Sequence, residues 1–368
     1  MREGWEYKKW NEVLTIINGK NQSAVEDANG EFPIYGSGGI MGYANNWLCP
    51  EQCVIIGRKG NINKPIFVKT KFWNVDTAFG LNANIEYLIP KFLFYFCLDY
   101  NFERHNKAVT IPSLTKADLL KITIPLPPKS TQLAIVSELD KINELIRLKK
   151  EQLKDFDNLA QSIFYEMFGD PVENEKGWEV KFLNDICDVR DGTHDSPQYL
   201  QHSEYSLVTS KNIVNDGIDF SNVNYISEED FNNINKRSKV DDGDIIMPMI
   251  GTIGNPIIVH IDKVHKFCIK NVALIKFVAE TQISNLFLLN LMKCKCFNDY
   301  LKSHNKGGTQ KFIALGTIRK LKIILPPLPL QHLFAQRIEQ VEHQKAEVQK
   351  AIADLETLLA SRMQYWFE

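Results

Sequence analysis

The stretch that decides the fold starts at Leu126-Pro127-Pro128 and continues through residues 129–168 as KSTQLAIVSELDKINELIRLKKEQLKDFDNLAQSIFYEMF. Those forty residues contain neither Pro nor Gly. Mostly apolar residues recur in steps of four and three, and we call their places the seam positions. They are Ile135, Leu139, Ile142, Ile146, Lys149, Leu153, Phe156, Ala160, Ile163 and Met167. A 3.5-residue period of this length predicts a coiled-coil helix. The alternative is an ordinary amphipathic core helix, which rarely keeps that period over so many heptads.

A second stretch repeats this pattern 199 positions later. Leu325-Pro326-Pro327 and Gln331 match the first Leu-Pro-Pro and Gln132. The second set of seam positions is Phe334, Ile338, Val341, Lys345, Val348, Ile352, Leu355, Leu359, Arg362 and Trp366. Seventeen of the twenty seam positions are apolar, and both stretches share one heptad register. Two matched helices with a globular segment between them predict an antiparallel pair, in which the second helix runs back along the first.

Further matches show that the whole unit is duplicated. Residues 4–6 (GWE) recur at 177–179, and residues 105–110 (HNKAVT) recur as HNKGGT at 304–309. Because several matches follow one another in the same order, chance similarity is excluded. We therefore predict globular segments at 1–128 and 170–325 and coiled-coil helices at 129–169 and 326–368.

The globular segments contain short β-type runs bounded by Gly, Asn and Pro, such as Cys53–Ile56, Pro65–Val68 and Pro256–Val259. The expected fold class is α+β, with two globular domains separated by a long antiparallel two-helix coiled coil and related by an internal pseudo-two-fold repeat. A helical rod of about 50 Å would hold the domains apart. That length corresponds to roughly 15 base pairs, so DNA is an obvious rigid ligand.

Composition sets outer limits on the function. The chain has 368 residues, 44% of them hydrophobic and 24% charged, which suits two globular domains. The longest purely apolar run, Phe92–Leu98, is too short to span a membrane. No signal peptide is expected at the start of the chain, and seven irregularly spaced cysteines suggest reduced thiols. We therefore expect a cytoplasmic protein.

Charge is unevenly distributed, although the net charge is only −2. Residues 263–322 contain 12 Lys or Arg and 2 acidic residues, whereas residues 171–262 contain 7 basic and 17 acidic residues. A basic block in a neutral protein suggests a local polyanion-binding face. A solvated lysine-rich surface is the alternative.

The arrangement resembles the DNA-specificity subunits of type I restriction–modification enzymes, over essentially the whole chain. The resemblance rests on the Gly-Trp opening of each half, the Leu-Pro-Pro…Gln entry to each helix and the exit Phe168-Gly169-Asp170-Pro171. The motifs typical of target-recognition domains are Tyr35-Gly36-Ser37-Gly38-Gly39, Gly57-Arg58-Lys59-Gly60, Asp191-Gly192-Thr193-His194, Gly243-Asp244-Ile245-Ile246 and Gly251-Thr252-Ile253-Gly254.

The resemblance implies a non-catalytic subunit with two target-recognition domains, 1–128 and 170–325. Each domain would read one half of a split, asymmetric sequence in double-stranded DNA. Two adenine methyltransferase subunits and, for cleavage, nuclease/translocase subunits would assemble around the helices. No cofactor is expected on this chain, and S-adenosylmethionine, ATP and Mg are expected on the partner subunits.

The motif search agrees with a non-catalytic role. An adenine methyltransferase needs an Asn/Asp-Pro-Pro-aromatic element for the flipped base, but Asn255-Pro256 is followed by Ile257. The run Gly36–Gly42 departs from a dinucleotide fingerprint at its third glycine, and no phosphate-binding GxxxxGK[ST] loop occurs. No metal is expected, because the pairs Cys49/Cys53 and Cys294/Cys296 lack a second ligand pair at zinc-site spacing. Asp191, His194 and Asp195 could imitate an acid–base cluster, but a turn with an Asx-type hydrogen bond explains them more simply.

Residues expected to face DNA combine suitable side chains with loop settings. Arg and Asn can pair with base edges, whereas Lys and Thr more often contact the backbone. The candidates are Ser37, Tyr43, Arg58, Lys59, Asn61, Lys107, Arg190, His194, Lys211, Asn212, Thr252, Lys306, Thr309 and Lys311. For each of them a solvated loop is the alternative, and His105 and His304 are equally consistent with a structural turn.

Three classes of function remain at this point. The favoured class is a sequence-specific DNA-binding subunit that directs partner enzymes. The others are a self-contained DNA-modifying enzyme, disfavoured by the missing motifs, and a coiled-coil scaffold for proteins alone. Salt-dependent binding to duplex DNA separates the first class from the scaffold.

Overall fold

The computed structural model describes residues 4–106, 111–214, 217–251, 254–262, 264–278, 281–303 and 312–368. The chain divides into two compact units. Unit 1 comprises Met1–Glu151 together with Val348–Glu368, and unit 2 comprises Gln152–Glu347. Each unit therefore contains one globular segment and part of both long helices. The predicted boundaries at 128, 169 and 325 stay a prediction.

Unit 1 starts with a strand and a one-turn helix and reaches the first long helix after nine strands. Its strands are β1 (Glu6–Lys9), β2 (Leu14–Asn18), β3 (Phe32–Gly36), β4 (Gly39–Ala44), β5 (Cys53–Gly57), β6 (Ile66–Val68), β7 (Trp73–Asn74), β8 (Ala78–Ala83) and β9 (Thr123–Leu126). Its helices are α1 (Trp10–Val13), α2 (Pro90–Asp99), a 3-10 turn at Phe102–His105, α3 (Lys116–Leu119) and the first part of α4 (Lys129–Phe168).

Unit 2 begins with the rest of α4 and continues with a similar series. Its strands are β10 (Glu179–Phe182), β11 (Asp188–Asp191), β12 (Tyr205–Val208), β13 (Ile213–Val214), β14 (Gly217–Ile218), β15 (Asn224–Ile226), β16 (Ile245–Pro248), β17 (Ile257–Ile258), β18 (Lys266–Ile269), β19 (Val272–Lys276) and β20 (Lys322–Leu325). Its helices are α5 (Leu183–Ile186), a 3-10 turn at Ser210–Asn212, α6 (Glu228–Ser238), α7 (Asn285–Lys293), α8 (Lys295–Ser303), α9 (Leu315–Arg319) and α10 (Leu328–Phe367), whose end belongs to unit 1.

Three sheets of each unit share one topology, which confirms the internal repeat, and unit 2 adds the two-stranded sheet β13-β14. A four-stranded sheet has the order β2-β8-β5-β6 in unit 1 and β11-β19-β16-β17 in unit 2. A three-stranded sheet, β4-β3-β7 or β15-β12-β18, has one antiparallel and one parallel pair in each unit. The strand after each Gly-Trp pairs antiparallel with the strand before each Leu-Pro-Pro, so that Glu6 faces Leu126 and Glu179 faces Leu325.

A buried glutamine explains the Leu-Pro-Pro…Gln motif. In unit 1, Gln132 accepts a hydrogen bond from the Ile89 amide at 2.9 Å and donates to the carbonyls of Tyr87 and Pro127 at 2.9 and 3.0 Å. In unit 2, Gln331 accepts from the Ser284 amide at 2.8 Å and donates to the carbonyls of Gln282 and Pro326 at 3.1 and 2.7 Å. We call each arrangement a glutamine clasp. It joins the start of a long helix to the start of α2 or α7 and satisfies backbone groups that would otherwise be buried unpaired.

The long helices pair in antiparallel fashion within each unit, which confirms the predicted coiled coil. In unit 1, Lys150 of α4 pairs with Glu356 of α10 at 2.7 Å, and Glu138, further from the middle of α4, pairs with Arg362. In unit 2, Asp157 pairs with Lys345 at 2.9 Å, and Phe168 packs on Phe334. All twenty seam positions are buried or half-buried.

Each core combines the globular segment with its share of the coiled coil. In unit 1, Phe92 of α2 packs on Phe367 of α10, with ring centroids 5.2 Å apart. In unit 2, Phe287 of α7 packs on Phe168 of α4 at 4.7 Å. The tryptophans of the two Gly-Trp motifs make different contacts. Trp5 stacks on Trp366, whereas the Trp178 indole donates a hydrogen bond to the Phe168 carbonyl. Among the described residues, no helix is both long and apolar enough to cross a bilayer.

Candidate nucleic-acid interface

In unit 1, two turns predicted to face DNA lie side by side. Strands β3 and β4 form a hairpin in which Gly36 faces Gly39, so Ser37 and Gly38 form its turn. The second turn follows buried β5 and spans Gly57–Ile62. A Cβ built on Gly38 would lie 4.0 Å from the Asn61 side-chain nitrogen Nδ2, so the two turns are neighbours. They form one surface, which we call the unit 1 loop surface (residues 37–38 and 58–61).

Glycine shapes the second turn. A Cβ at Gly57 would lie 2.4 Å from the Asn61 carbonyl oxygen, and Gly60 has a φ of 77°. Backbone hydrogen bonds from Arg58 to Thr77 and from Gly60 to Pro112, at 2.8 and 3.0 Å, hold the loop. The backbone is therefore ordered by tertiary contacts.

The side chains of this surface point outward. Arg58, Lys59 and Asn61 are exposed, and Ser37 is half-buried. The Arg58 guanidinium lies 5.7 Å from the centroid of the Phe79 ring and 3.5 Å from the Asp76 carbonyl. The result is a cationic and amide-bearing edge on an ordered backbone, which suits contact with phosphate and base edges.

Exposed apolar side chains on β4 adjoin this surface, and the sequence analysis identified only one of them. Tyr43, a candidate, is 46% exposed, and the neighbouring Ile40 and Met41 are 55% and 62% exposed. The sequence could have indicated their exposure, because they follow a glycine-rich hairpin turn, where a side chain has no hydrophobic core to pack against. Apolar atoms at such a tip suit contact with thymine methyl groups.

In unit 2, the motif Asp191-Gly192-Thr193-His194 forms a tight turn after β11. A Cβ at Gly192 would lie 2.3 Å from the Ile269 carbonyl oxygen, so only glycine fits there. The Thr193 amide donates to Ile269 at 3.0 Å, and the Asp195 amide donates to the Thr193 hydroxyl at 3.1 Å. The Thr193 hydroxyl therefore closes the turn through the Asp195 amide, next to a hydrogen-bonded Asp191–His194 pair.

His194 is held between two acceptors. Its Nε2 lies 2.8 Å from Asp191 Oδ2, and its Nδ1 lies 2.7 Å from Asn271 Oδ1. Two hydrogen bonds raise the pKa of His194, and the one to Asn271 has a larger effect than the one to Asp191. Burial and the nearby Arg237 lower the pKa. Asp191 is buried and also pairs with Arg237. The arrangement favours an imidazolium, an exposed cation beside a loop.

Two unit 2 candidates already have hydrogen-bond partners within the protein, and their role at DNA stays a prediction. Arg190 donates to Asp188 Oδ2 at 2.9 Å and to the Arg237 carbonyl at 2.9 Å. Asn212 is buried, and its amide accepts from Thr209 at 2.9 Å and donates to the Asn222 carbonyl at 3.0 Å. Those bonds hold the turn that leaves Lys211 exposed.

Some lysines of the basic block 263–322 form ion pairs within the protein. Lys266 pairs with Glu204 at 2.9 Å, and Lys276 is largely buried between Asp241 and Asp244, at 2.9 and 2.6 Å. These carboxylates belong to the acidic block 171–262. At these two lysines the basic and acidic blocks neutralise each other, while the polyanion-binding face expected of residues 263–322 stays a prediction.

Some expectations fall outside the described part of the chain. Lys107, Thr252, Lys306, Thr309 and Lys311 lie outside the described residues. Within the described ranges, no group of three or more His, Cys, Asp or Glu side chains could hold a metal ion.

Comparison with known proteins gives one consistent result. A family model described as "Type I restriction modification DNA specificity domain" matches residues 2–155 and 175–357. A type I restriction enzyme specificity subunit of Methanocaldococcus jannaschii is 23% identical over 406 residues, covering 97% of this chain and 92% of that protein.

Solved structures match the fold over its full length. The type I restriction–modification S subunit from M. genitalium aligns with a TM-score of 0.56 and 14% identity, covering 99% of this chain and 96% of that one. A chain from a study of assembly and conformational transition of the type I R-M system aligns with a TM-score of 0.60 and 17% identity, covering 99% and 97%. With two matched repeats and a family match over most of its length, this chain belongs to the type I restriction–modification DNA specificity family.

Proposed function

We propose that the chain recognises a split, asymmetric DNA sequence, with one half read by each globular segment, and that it directs partner subunits of a type I system to that site. The observation that carries this proposal is one sheet topology built twice with different exposed loops. Because the two units share a framework but differ in their loops, each can recognise a different half-site independently. As in the rest of the family, the chain supplies recognition and no catalysis of its own.

A domain exchange tests this division of labour. Replacing residues 178–322 with the matching segment of another family member should change one half of the methylated sequence and leave the other half intact. The measurement is methylome sequencing of cells that carry the chimera and its partner subunits. A chimera that assembles but changes both halves would refute independent reading.

We propose two methyltransferase subunits per chain, because each unit contains one glutamine clasp at the start of a long helix. Nuclease/translocase subunits would join for cleavage. S-adenosylmethionine, ATP and Mg would then be bound by these partners, in the cytoplasm, where thiols stay reduced. The purified chain given S-adenosylmethionine, ATP, Mg and plasmid should yield neither methylated nor cut DNA. Native mass spectrometry of the assembled complex would give the stoichiometry.

We propose that Arg58, Lys59 and Asn61, with Ser37 and Tyr43, contact the half-site read by unit 1. His194 and Lys211 would contact the half-site read by unit 2. Lys107, Thr252, Lys306, Thr309 and Lys311 remain candidates from sequence alone. The support in unit 1 is geometric, since two ordered turns meet and turn their polar side chains outward.

Paired substitutions separate base reading from phosphate contact. Asn61→Ala should relax specificity at one position of one half-site, at a cost of about 1–3 kcal/mol in binding. Lys59→Ala should weaken binding to all sequences alike and reduce the salt slope by about one. The matched control is Lys141→Ala, an exposed lysine of α4, which should change neither. If both loop variants kept the sequence specificity and the salt dependence of the unsubstituted chain, these turns would not contact DNA.

A further inference from the structure

Cys294 and Cys296 face each other at the corner between α7 and α8. Their sulfur atoms are 3.1 Å apart, and the Tyr165 hydroxyl of α4 donates to Cys296 Sγ at 3.3 Å. From this geometry we propose that the two thiols form a redox-active pair, which a hydroperoxide or a small disulfide oxidises reversibly to an intramolecular disulfide.

The positions of the two sulfur atoms favour bond formation. A disulfide has an S–S length of about 2.05 Å, so the sulfur atoms need to approach by only about 1 Å. Cys294 follows the last residue of α7, and Cys296 lies in the first turn of the nine-residue α8. Because the backbone bends between the helices, both side chains turn to the same side.

The surroundings give the two thiols different roles. Cys294 is buried, and burial raises its pKa. Cys296 is half-buried, so a solute reaches its sulfur more easily, and it accepts a hydrogen bond from the Tyr165 hydroxyl. We therefore assign Cys296, the more exposed thiol, as the one that attacks the oxidant and Cys294 as the resolving thiol.

A cavity gives small oxidants access to the corner. It has a volume of about 510 Å³ and is lined by Cys294, Lys293 and Asn298, by Phe164 of α4 and by Lys345 of α10. That volume is within the range of small-molecule sites. The resolving thiol Cys294 therefore borders open space inside unit 2, whereas Cys296 is reached through its own partly exposed surface.

The chemistry balances with hydrogen peroxide as the oxidant. The Cys296 thiolate attacks one peroxide oxygen and forms a sulfenic acid, while the other oxygen leaves and takes a proton to become water. Cys294 sulfur then attacks the sulfenic sulfur, the S–O bond breaks, and the oxygen leaves as a second water with the thiol proton. Two electrons pass from the thiol pair to the peroxide, and a dithiol reductant reverses the oxidation by exchange.

The other five cysteines provide an internal comparison. Cys49, Cys53, Cys97, Cys187 and Cys268 are buried free thiols. Among the described residues, none of them hydrogen-bonds to a second thiol, and Cys49 instead lies 3.1 Å from Asn74 Oδ1. Oxidation should therefore select the 294/296 pair.

Peptide mapping of the folded chain tests the proposal. Lys295 lies between the two cysteines, so trypsin cuts inside the disulfide loop and leaves residues 294–295 linked to 296–302. After brief exposure to oxidised glutathione or hydrogen peroxide, the intact mass should fall by about 2 Da. Alkylation of the pair should fall about tenfold while the other five thiols stay accessible after unfolding. Dithiothreitol should restore the reduced peptides.

Variants and alternative products keep the test decisive. Cys296→Ala should abolish the mass loss and the linked peptide, whereas Cys187→Ala, which removes a buried thiol elsewhere in unit 2, should leave both unchanged. Mapping of the unsubstituted chain decides the matter even if a variant fails to fold. Preferential oxidation of another cysteine, or sulfinic acid on Cys296 without a linked peptide, would overturn the proposal.

Discussion

Single buried amides tie each long helix to its globular segment. Gln132 and Gln331 are fully buried, and each makes three hydrogen bonds with backbone groups. Most of those partners are more than forty residues away along the chain. A short polar motif in the sequence therefore encodes a long-range connection.

Truncating the clasp should be costly in either unit. Gln132→Ala leaves the Ile89 amide and the Tyr87 carbonyl without partners, and each buried unpaired group costs about 1–3 kcal/mol. We expect urea denaturation to show a loss of about 2–4 kcal/mol for Gln132→Ala and a similar loss for Gln331→Ala. Gln336→Ala, at an exposed position of α10, should change stability by less than about 0.5 kcal/mol. Equal urea midpoints for all three variants would show that the glutamine clasps do not stabilise the fold.

His194 offers a titratable contact in unit 2. Because folding raises its pKa, its contribution to stability is fully present below the ordinary His value of about 6.5 and is lost as the pH rises through the folded pKa. The group is more than half exposed, so solvent screens the effect on stability. The direct observable is its own titration.

Removing one acceptor should lower this pKa. Asn271 has a φ of 56°, so Asn271→Gly preserves the left-handed backbone while deleting the hydrogen bond to Nδ1. NMR titration of the His194 ring should give a pKa above 6.5 in the unsubstituted chain and a lower value in the variant. The control, Asn232→Ala at an exposed position of α6, should leave the titration unchanged. A His194 pKa unaffected by loss of Asn271 would show that the contact contributes nothing.

The coiled-coil helices derive their stability from the seam and tolerate polar groups where partners are present. Lys345 is half-buried in the seam but reaches Asp157 and Glu342, at 2.9 and 3.1 Å. Arg362 pairs with Glu138 and lies over the Trp366 ring, 5.1 Å from its centroid. Polar seam residues of this kind favour one register over its alternatives.

Matched truncations on α4 should separate the seam from the solvent face. Ile142 is 7% exposed and Leu145 is 47% exposed. Ile142→Ala should cost about 2–4 kcal/mol through lost burial and a cavity, and Leu145→Ala about 0.5 kcal/mol or less. Thermal or urea unfolding of the two variants measures the difference. Equal losses would place both residues in the same environment and contradict the seam assignment.

Both long helices contribute residues to both units, so helix length is a property of the complete chain. We predict that it sets the unspecified spacer between the half-sites. One heptad added between Lys150 and Leu153, with another between Ala346 and Lys350, preserves the seam and adds about 10 Å to each helix. The methylated site should then keep both half-sites and gain roughly three base pairs of spacer, less any change absorbed by DNA bending.

A two-residue insertion is the control for this prediction. It turns the apolar stripe by about 200° and should prevent correct pairing of the helices. Methylation-site sequencing of assembled complexes provides the measurement. An active heptad variant that keeps the original spacer would show that the partner subunits set the spacing.

The sequence by itself determined the duplication, the two long helices and the family. These features are encoded locally, because a heptad period repeats every few residues and the Leu-Pro-Pro…Gln and Gly-Trp motifs recur in order. The sequence also indicated glycine-containing turns at Gly57 and Gly192, and the structure adds that neither position has space for a Cβ. The α+β class and the antiparallel pairing followed from these signals.

Only the tertiary structure decided which polar side chains are free. Arg190 looked like a base reader, but its partner carbonyl belongs to Arg237, 47 residues away. Lys276 looked like part of a cationic face, but strand pairing and the turn at Asp241–Asp244 bury it between carboxylates. Charge and residue type are local properties, whereas burial and hydrogen-bond partners depend on contacts between distant segments. For the same reason the sequence indicated candidate loops but not which of their side chains have partners within the protein.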